Sequence, residues 1–128
     1  KARETLAELA IDGRLHEMDA QDLDFEDDSF DAVISTLSTC TFPDPVAALR
    51  EMERVCKPGG TIRLVEHGRS DVGMIAKYQA WRADAHYRKH GCRWLQEPRE
   101  VVAEAGLSVT DTTTGLFGMI TTFEIEVQ

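Results

Sequence analysis

Residues Asp28 to Glu66, DSFDAVISTLSTCTFPDPVAALREMERVCKPGGTIRLVE, read as strand, loop, amphipathic helix, turn and strand. This is one complete crossover unit of a parallel α/β sheet. Phe30 to Ser35 and Thr61 to Val65 are short apolar runs rich in the β-branched residues that suit a pleated surface. Between them Val46, Leu49, Met52 and Val55 recur at a spacing of three, which puts them on one face of a helix able to cover a sheet. Asp44 is placed to cap that helix, with Pro45 at its first position, where a missing N–H costs nothing. Lys57-Pro58-Gly59-Gly60 is expected to stop the helix and turn the chain back into the sheet. A crossover of this length is parallel and right-handed in nearly all cases.

Working outward, Lys1 to Ile11 carries Leu6, Leu9 and Ala10 on one side and predicts the end of a helix closed by Asp12-Gly13. Arg14 to Met18 predicts a short strand, followed by a turn over Asp19 to Leu23 and an acidic stretch to Asp28. After Val65, Glu66 to Ser70 should leave the second strand at its carboxyl end, the edge where open parallel sheets hold ligands. Asp71 to Lys89 predicts one or two helices with Ile75, Tyr78, Trp81 and Ala85 three or four apart. Those aromatic residues suit either a core or the wall of a substrate cavity. Pro98 to Ala105 predicts a helix ended by Gly106, and Leu107 to Thr114 and Met119 to Val127 predict two antiparallel strands around a turn. Phe123, Ile125 and Val127 fall on one face of the last strand.

Composition limits the function classes. The 128 residues are 42% hydrophobic and 29% charged, enough for one domain with a modest core. Net charge is -9, from 14 basic and 23 acidic side chains, which argues against partners such as nucleic acid or anionic lipid. No apolar run approaches membrane-spanning length, and the sequence offers no secretory leader pattern. Cys40, Cys56 and Cys92 are odd in number and far apart, so reduced thiols in a cytoplasmic compartment are expected rather than a disulfide framework. His86, His90 and Cys92 lie close in sequence, with Cys40 or His67 as further candidates, but no usual ligand spacing is present and no metal is expected.

The order of elements resembles the class I S-adenosylmethionine-dependent methyltransferases, in the small-molecule branch that includes the ubiquinone and menaquinone C-methyltransferases. The matching segments are Asp19-Ala20-Gln21-Asp22-Leu23-x-Phe25, Asp28-Ser29-Phe30-Asp31, and Ala48-Leu49-Arg50-Glu51-Met52-x-Arg54-Val55-x-Lys57-Pro58-Gly59-Gly60. Glu66-His67 and Gly91-Cys92 are also similar to a subgroup with membrane-associated thiol methyltransferases. The resemblance implies a Rossmann-like α/β domain, mostly parallel with one antiparallel terminal strand and helices on both faces. It implies S-adenosylmethionine as cofactor and S-adenosylhomocysteine as product, with a small molecule as acceptor.

Carried onto this sequence, the resemblance makes Asp19 the acceptor for the adenine amino group and Ala20 the neighbour of the ring edge. It places Ser35, Thr36 and Leu37 beside the methionine moiety. A structural role for Asp19, capping its own turn, and for Ser35 and Thr36, bonding their own backbone, stands beside that reading. His67 is the first candidate for a general base, because a neutral imidazole can take a proton near pH 7. Tyr78, Trp81 and Trp94 would form an apolar substrate wall. The family's glycine-rich loop and the acidic end of its second strand have no counterpart here. The sequence is therefore expected to be the later two thirds of a domain ordered 3-2-1-4-5-7-6, part of a longer enzyme and probed best in that context. The bare strand edges this creates predict self-association or pairing with the absent segment, and membrane association of a longer protein stays open. A non-catalytic interaction module that oligomerises through those edges is the alternative.

Overall fold

A computed structural model describes residues 1–128. A helix α1 (Ala2–Glu8) is followed by an extended stretch and then by β1 (Phe30–Thr36). A 3-10 turn (Thr39–Thr41), α2 (Pro45–Val55), β2 (Cys56–His67), α3 (Gly73–His90), α4 (Pro98–Ala105), β3 (Val109–Gly115) and β4 (Ile120–Glu126) complete the chain. The sheet order is β1-β2-β4-β3. β1 and β2 are parallel, and β4 is antiparallel to both β2 and β3. Three strands thus share a direction and the terminal one is reversed, as the hairpin after Gly106 requires.

The crossover unit forms because its local signals agree. The Asp44 carboxylate accepts from the Ala47 N–H at 2.9 Å, with Pro45 in the first helical turn. Ala48, Leu49, Met52 and Val55 are buried, so the apolar stripe of α2 faces the sheet. Leu49, Ile62 and Leu64 join Val102, Leu107, Phe123 and Ile125 in one core, which α4 closes from the side. Gly106 ends α4 in the left-handed region at φ +81.

Two sequence expectations are corrected. Lys57 to Gly60 is a bulge inside β2 rather than a turn before it: Phe30 pairs with Cys56 and Ala32 with Thr61. The bulge persists because Gly59 N–H donates to the Val127 carbonyl at 2.8 Å, and Val127 N–H donates to Gly60 at 3.0 Å. A Cβ on Gly60 would lie 2.7 Å from Cys56 Sγ and 2.9 Å from the Asp31 carbonyl, so the close approach needs glycine. The second correction concerns Arg14 to Met18, which makes no strand. A strand exists only where a neighbour satisfies its backbone, and none lies beside this segment. The outer edge of β1 is likewise unpaired within the chain, and Ile34 on it is 71% exposed.

Arg54 fastens the irregular segment before β1 to α2. Its guanidinium donates to both Glu51 carboxylate oxygens at 2.8 Å, to the carbonyls of Leu23 and Phe25 at 2.9 and 2.8 Å, and to Asp27 at 2.7 Å. The Leu23 N–H donates to Glu51 at 2.9 Å. These donors, Arg54 foremost, lower the Glu51 carboxyl from an ordinary 4.5 to about 2. The folded state therefore binds fewer protons than the unfolded chain between those values, and stability falls as pH drops from about 4.5 toward 2. Thermal melts across that window should show a smaller acid loss for Glu51→Gln than for the wild type. Equal losses would assign the acid sensitivity elsewhere.

Candidate functional site

The carboxyl edge of the sheet is where β1 and β2 release their chains. β1 ends abruptly because Leu37 is left-handed, φ +53, while its N–H donates to Val65 at 2.8 Å. A branched side chain in that region is strained, and such strain persists only where neighbours hold it. Glu66 holds residues on either side of Leu37. Its carboxylate is 1% exposed and accepts from Ser35 Oγ at 3.1 Å and from the Thr39 N–H at 3.3 Å. Burial pushes its carboxyl upward and these donors oppose the shift. The sequence placed Glu66 at the exit of the second strand and in the resemblance but gave it no role; its position as the last inward residue of β2 was the available signal.

The Asp19 turn meets the same edge. Asp19 Oδ1 accepts from the Gln21 N–H at 2.9 Å and from Gln21 Nε2 at 3.1 Å, and these bonds lower its carboxyl below the ordinary range. Gln21 Oε1 in turn accepts from the Asp44 N–H at 2.6 Å, so the turn is tied to the cap of α2. Asp19 is exposed and Ala20 half-buried. Asp19 thus caps its own turn as the structural reading expected, while its carboxylate still faces outward. Ser35 is buried and its hydroxyl serves Glu66, whereas Thr36 and Leu37 are exposed.

His67, the candidate base, is the last residue of β2 and lies between two thiols. Nε2 lies 3.4 Å from Cys40 Sγ and 3.1 Å from Cys92 Sγ, and Nδ1 is buried without a partner. Burial, with His86 adding a lesser effect, lowers its pKa. The Cys40 and Cys92 sulfurs are 2.8 Å apart as free thiols, and burial raises the Cys40 thiol to about 12. The histidines that lie near Cys92 in sequence are not part of this group. His86 stacks on Trp94 at 4.4 Å and sits 4.8 Å from His90, between ring centroids.

The aromatic residues of α3 are not core. Tyr78 is 53% and Trp81 75% exposed, and α3 buries only Ala76 and Gln79. Trp94 meets Tyr78 edge-on at 6.3 Å, and Tyr78 meets Trp81 at 6.0 Å, so the three form one cluster in which Tyr78 and Trp81 are exposed and Trp94 is half-buried. Gln79, which the sequence did not single out, is fully buried and holds the loop after β2 by accepting from Ser70 N–H at 2.8 Å and donating to Gly68 at 3.0 Å. The largest cleft, about 440 Å³, runs between α3 and the segment from Arg93 to Gln96, with Tyr87 and Trp94 on its walls. It includes none of Asp19, Ala20, Ser35, Thr36 or Leu37. No helix is long and apolar enough to cross a membrane.

A profile described as a methyltransferase domain matches residues 1–64. Phosphatidylethanolamine N-methyltransferase of Cereibacter sphaeroides is 37% identical over 78 residues, 59% of this chain and 38% of that protein. Demethylmenaquinone methyltransferase of Staphylococcus aureus is 48% identical over 62 residues, 48% of this chain and 26% of its own. The matches therefore span well under two thirds of these relatives' length. In fold, the chain is similar to an S-adenosylmethionine-dependent methyltransferase of Aquifex aeolicus, with a TM-score of 0.66 and 14% identity over 99% of this chain and 62% of that one.

Proposed function

Because the chain belongs to the methyltransferase-domain family of class I S-adenosylmethionine-dependent enzymes, we propose that it forms part of a longer enzyme that moves the methyl group of S-adenosylmethionine to a small-molecule acceptor. The observation that carries this reading is the Asp19 turn, fastened through Gln21 to the cap of α2 beside the exit of β1. The residues present fit one side of such a donor. An exposed carboxylate held ionised by Gln21 suits an exocyclic amine, and the left-handed backbone at Leu37 bares the end of β1. Asp19 and Ala20 then hold the adenine, and Thr36, Leu37 and the Ser35 backbone border the methionine.

When bound, the donor supplies an already activated sulfonium methyl, so the protein contributes mainly alignment and exclusion of water. Tyr78, Trp81 and Trp94 form the apolar wall against which the acceptor lies. His67, with Nε2 against Cys92 and Nδ1 buried, is read as a structural group rather than a base. The unpaired edge of β1 receives further strands, from the rest of the enzyme or from a second copy.

Calorimetric titration of S-adenosylhomocysteine tests the reading. The product of the complete reading frame should bind, and Asp19→Ala should weaken binding about 10-fold, the worth of one charged hydrogen bond at the lower end of its range. Absence of binding by the longer product would sink the enzyme reading in favour of a non-catalytic module built on exposed strand edges.

A further inference from the structure

Cys40, His67 and Cys92 come from three separate elements. Cys40 lies in the 3-10 turn after β1, His67 ends β2, and Cys92 follows the left-handed Gly91 that closes α3. Their sulfur and nitrogen atoms face one another at 2.8, 3.1 and 3.4 Å, so the three donor atoms lie within 4.8 Å of one another. The backbone fixes this meeting: Arg93 N–H donates to the Cys40 carbonyl at 3.0 Å, and the Arg93 guanidinium donates to the Phe42 carbonyl. Both cysteines are buried, at 1% and 6% exposure, so no solvent competes for the sulfurs.

We infer that these three residues form a binding site for one thiophilic divalent cation of the zinc type, held by Cys40 Sγ, Cys92 Sγ and His67 Nε2. Two soft sulfurs and one imidazole nitrogen are the donor set that suits a tetrahedral d10 ion. Tetrahedral angles with Zn–S near 2.3 Å and Zn–N near 2.0 Å place the sulfurs about 3.8 Å apart and each sulfur about 3.5 Å from the nitrogen. Side-chain rotation that parts the sulfurs by about 1 Å, and the other pairs by less, therefore opens the site without moving the backbone. Binding releases one proton from each thiol to solvent. The two thiolates then cancel the cation's charge, as a buried site requires. The neutral ring carries its proton on Nδ1. Three protein ligands leave the fourth position for an exchangeable water or another donor. The ion would bind the exits of β1 and β2 to the segment after α3, independently of whether methyl transfer occurs.

The test uses reduced protein from the complete reading frame. Zinc analysis after dialysis should give one ion per chain, and cobalt substitution should give a thiolate-to-cobalt charge-transfer band with tetrahedral ligand-field absorption. Cys40→Ser and Cys92→Ser should each lower zinc affinity by more than the roughly 10–100-fold that loss of an outer-shell partner costs. Cys56→Ala, which removes a buried thiol outside the cluster, should keep both the ion and the cobalt spectrum. Circular dichroism checks that each variant folds, and the wild-type cobalt spectrum reports thiolate ligation without any variant. Folded, reduced wild type that takes up neither ion overturns the inference. So does a Cys40–Cys92 disulfide in the isolated protein, or zinc retained at wild-type affinity by both serine variants.

Discussion

Leu64→Ala should destabilise the fold by about 3 kcal/mol, within the 2–5 kcal/mol range for emptying a leucine site in a packed core. Leu64 is fully buried on the central strand, paired with Ser35 on one side and Phe123 on the other, and it joins the core that α2 and α4 cover. Against a total stability of roughly 5–15 kcal/mol, that loss is a large fraction of the whole. Met74→Ala, at a methionine 82% exposed on α3, should change stability by less than about 0.5 kcal/mol. Urea unfolding of both variants measures the contrast. Similar midpoints would mean that the core does not run through β2.

Glu66→Ala should cost about 3 kcal/mol as well, by a different cause. The side chain is 1% exposed and supplies the acceptors for Ser35 Oγ and the Thr39 N–H. Removing it strands two buried donors, each costing about 1–3 kcal/mol, and leaves a cavity behind. Glu66→Gln keeps one acceptor oxygen and should fall between wild type and alanine. Because those donors belong to the segment that leaves β1, the alanine variant should also weaken S-adenosylhomocysteine binding by the complete enzyme while leaving Asp19 untouched. A loss below about 1 kcal/mol would show that the β1 exit is held by its own backbone instead.

The crossover unit and the terminal hairpin were legible because local signals there agree with tertiary need. Asp44 and Pro45 start α2, a period of three buries Leu49 and Met52, and alternation buries Phe123 and Ile125. Such patterns depend on residues near one another in sequence, which is why periodicity finds them. The Arg14 to Met18 stretch failed for the opposite reason. Its composition permits a strand, yet a strand is a property of a pair, and its partner is not beside it. The aromatic spacing on α3 likewise suited a core or a cavity equally. Only the course of the helix decided, leaving Tyr78 and Trp81 exposed and burying Gln79 instead.

By itself the sequence determined the α/β class, the capped crossover, the reversed last strand and the segments that resemble a methyl-donor site. These follow from propensity, periodicity and capping, all short-range. The tertiary structure alone decided that Lys57 to Gly60 is a bulge, that Glu66 anchors the exit of β1, and that His67 meets two thiols rather than open space. Cys40 and His67 are 27 residues apart, and His67 and Cys92 are 25 apart. No local spacing rule links them. They meet because parallel strands release their chains at one edge of the sheet, so groups distant in sequence converge where β1, β2 and α3 end.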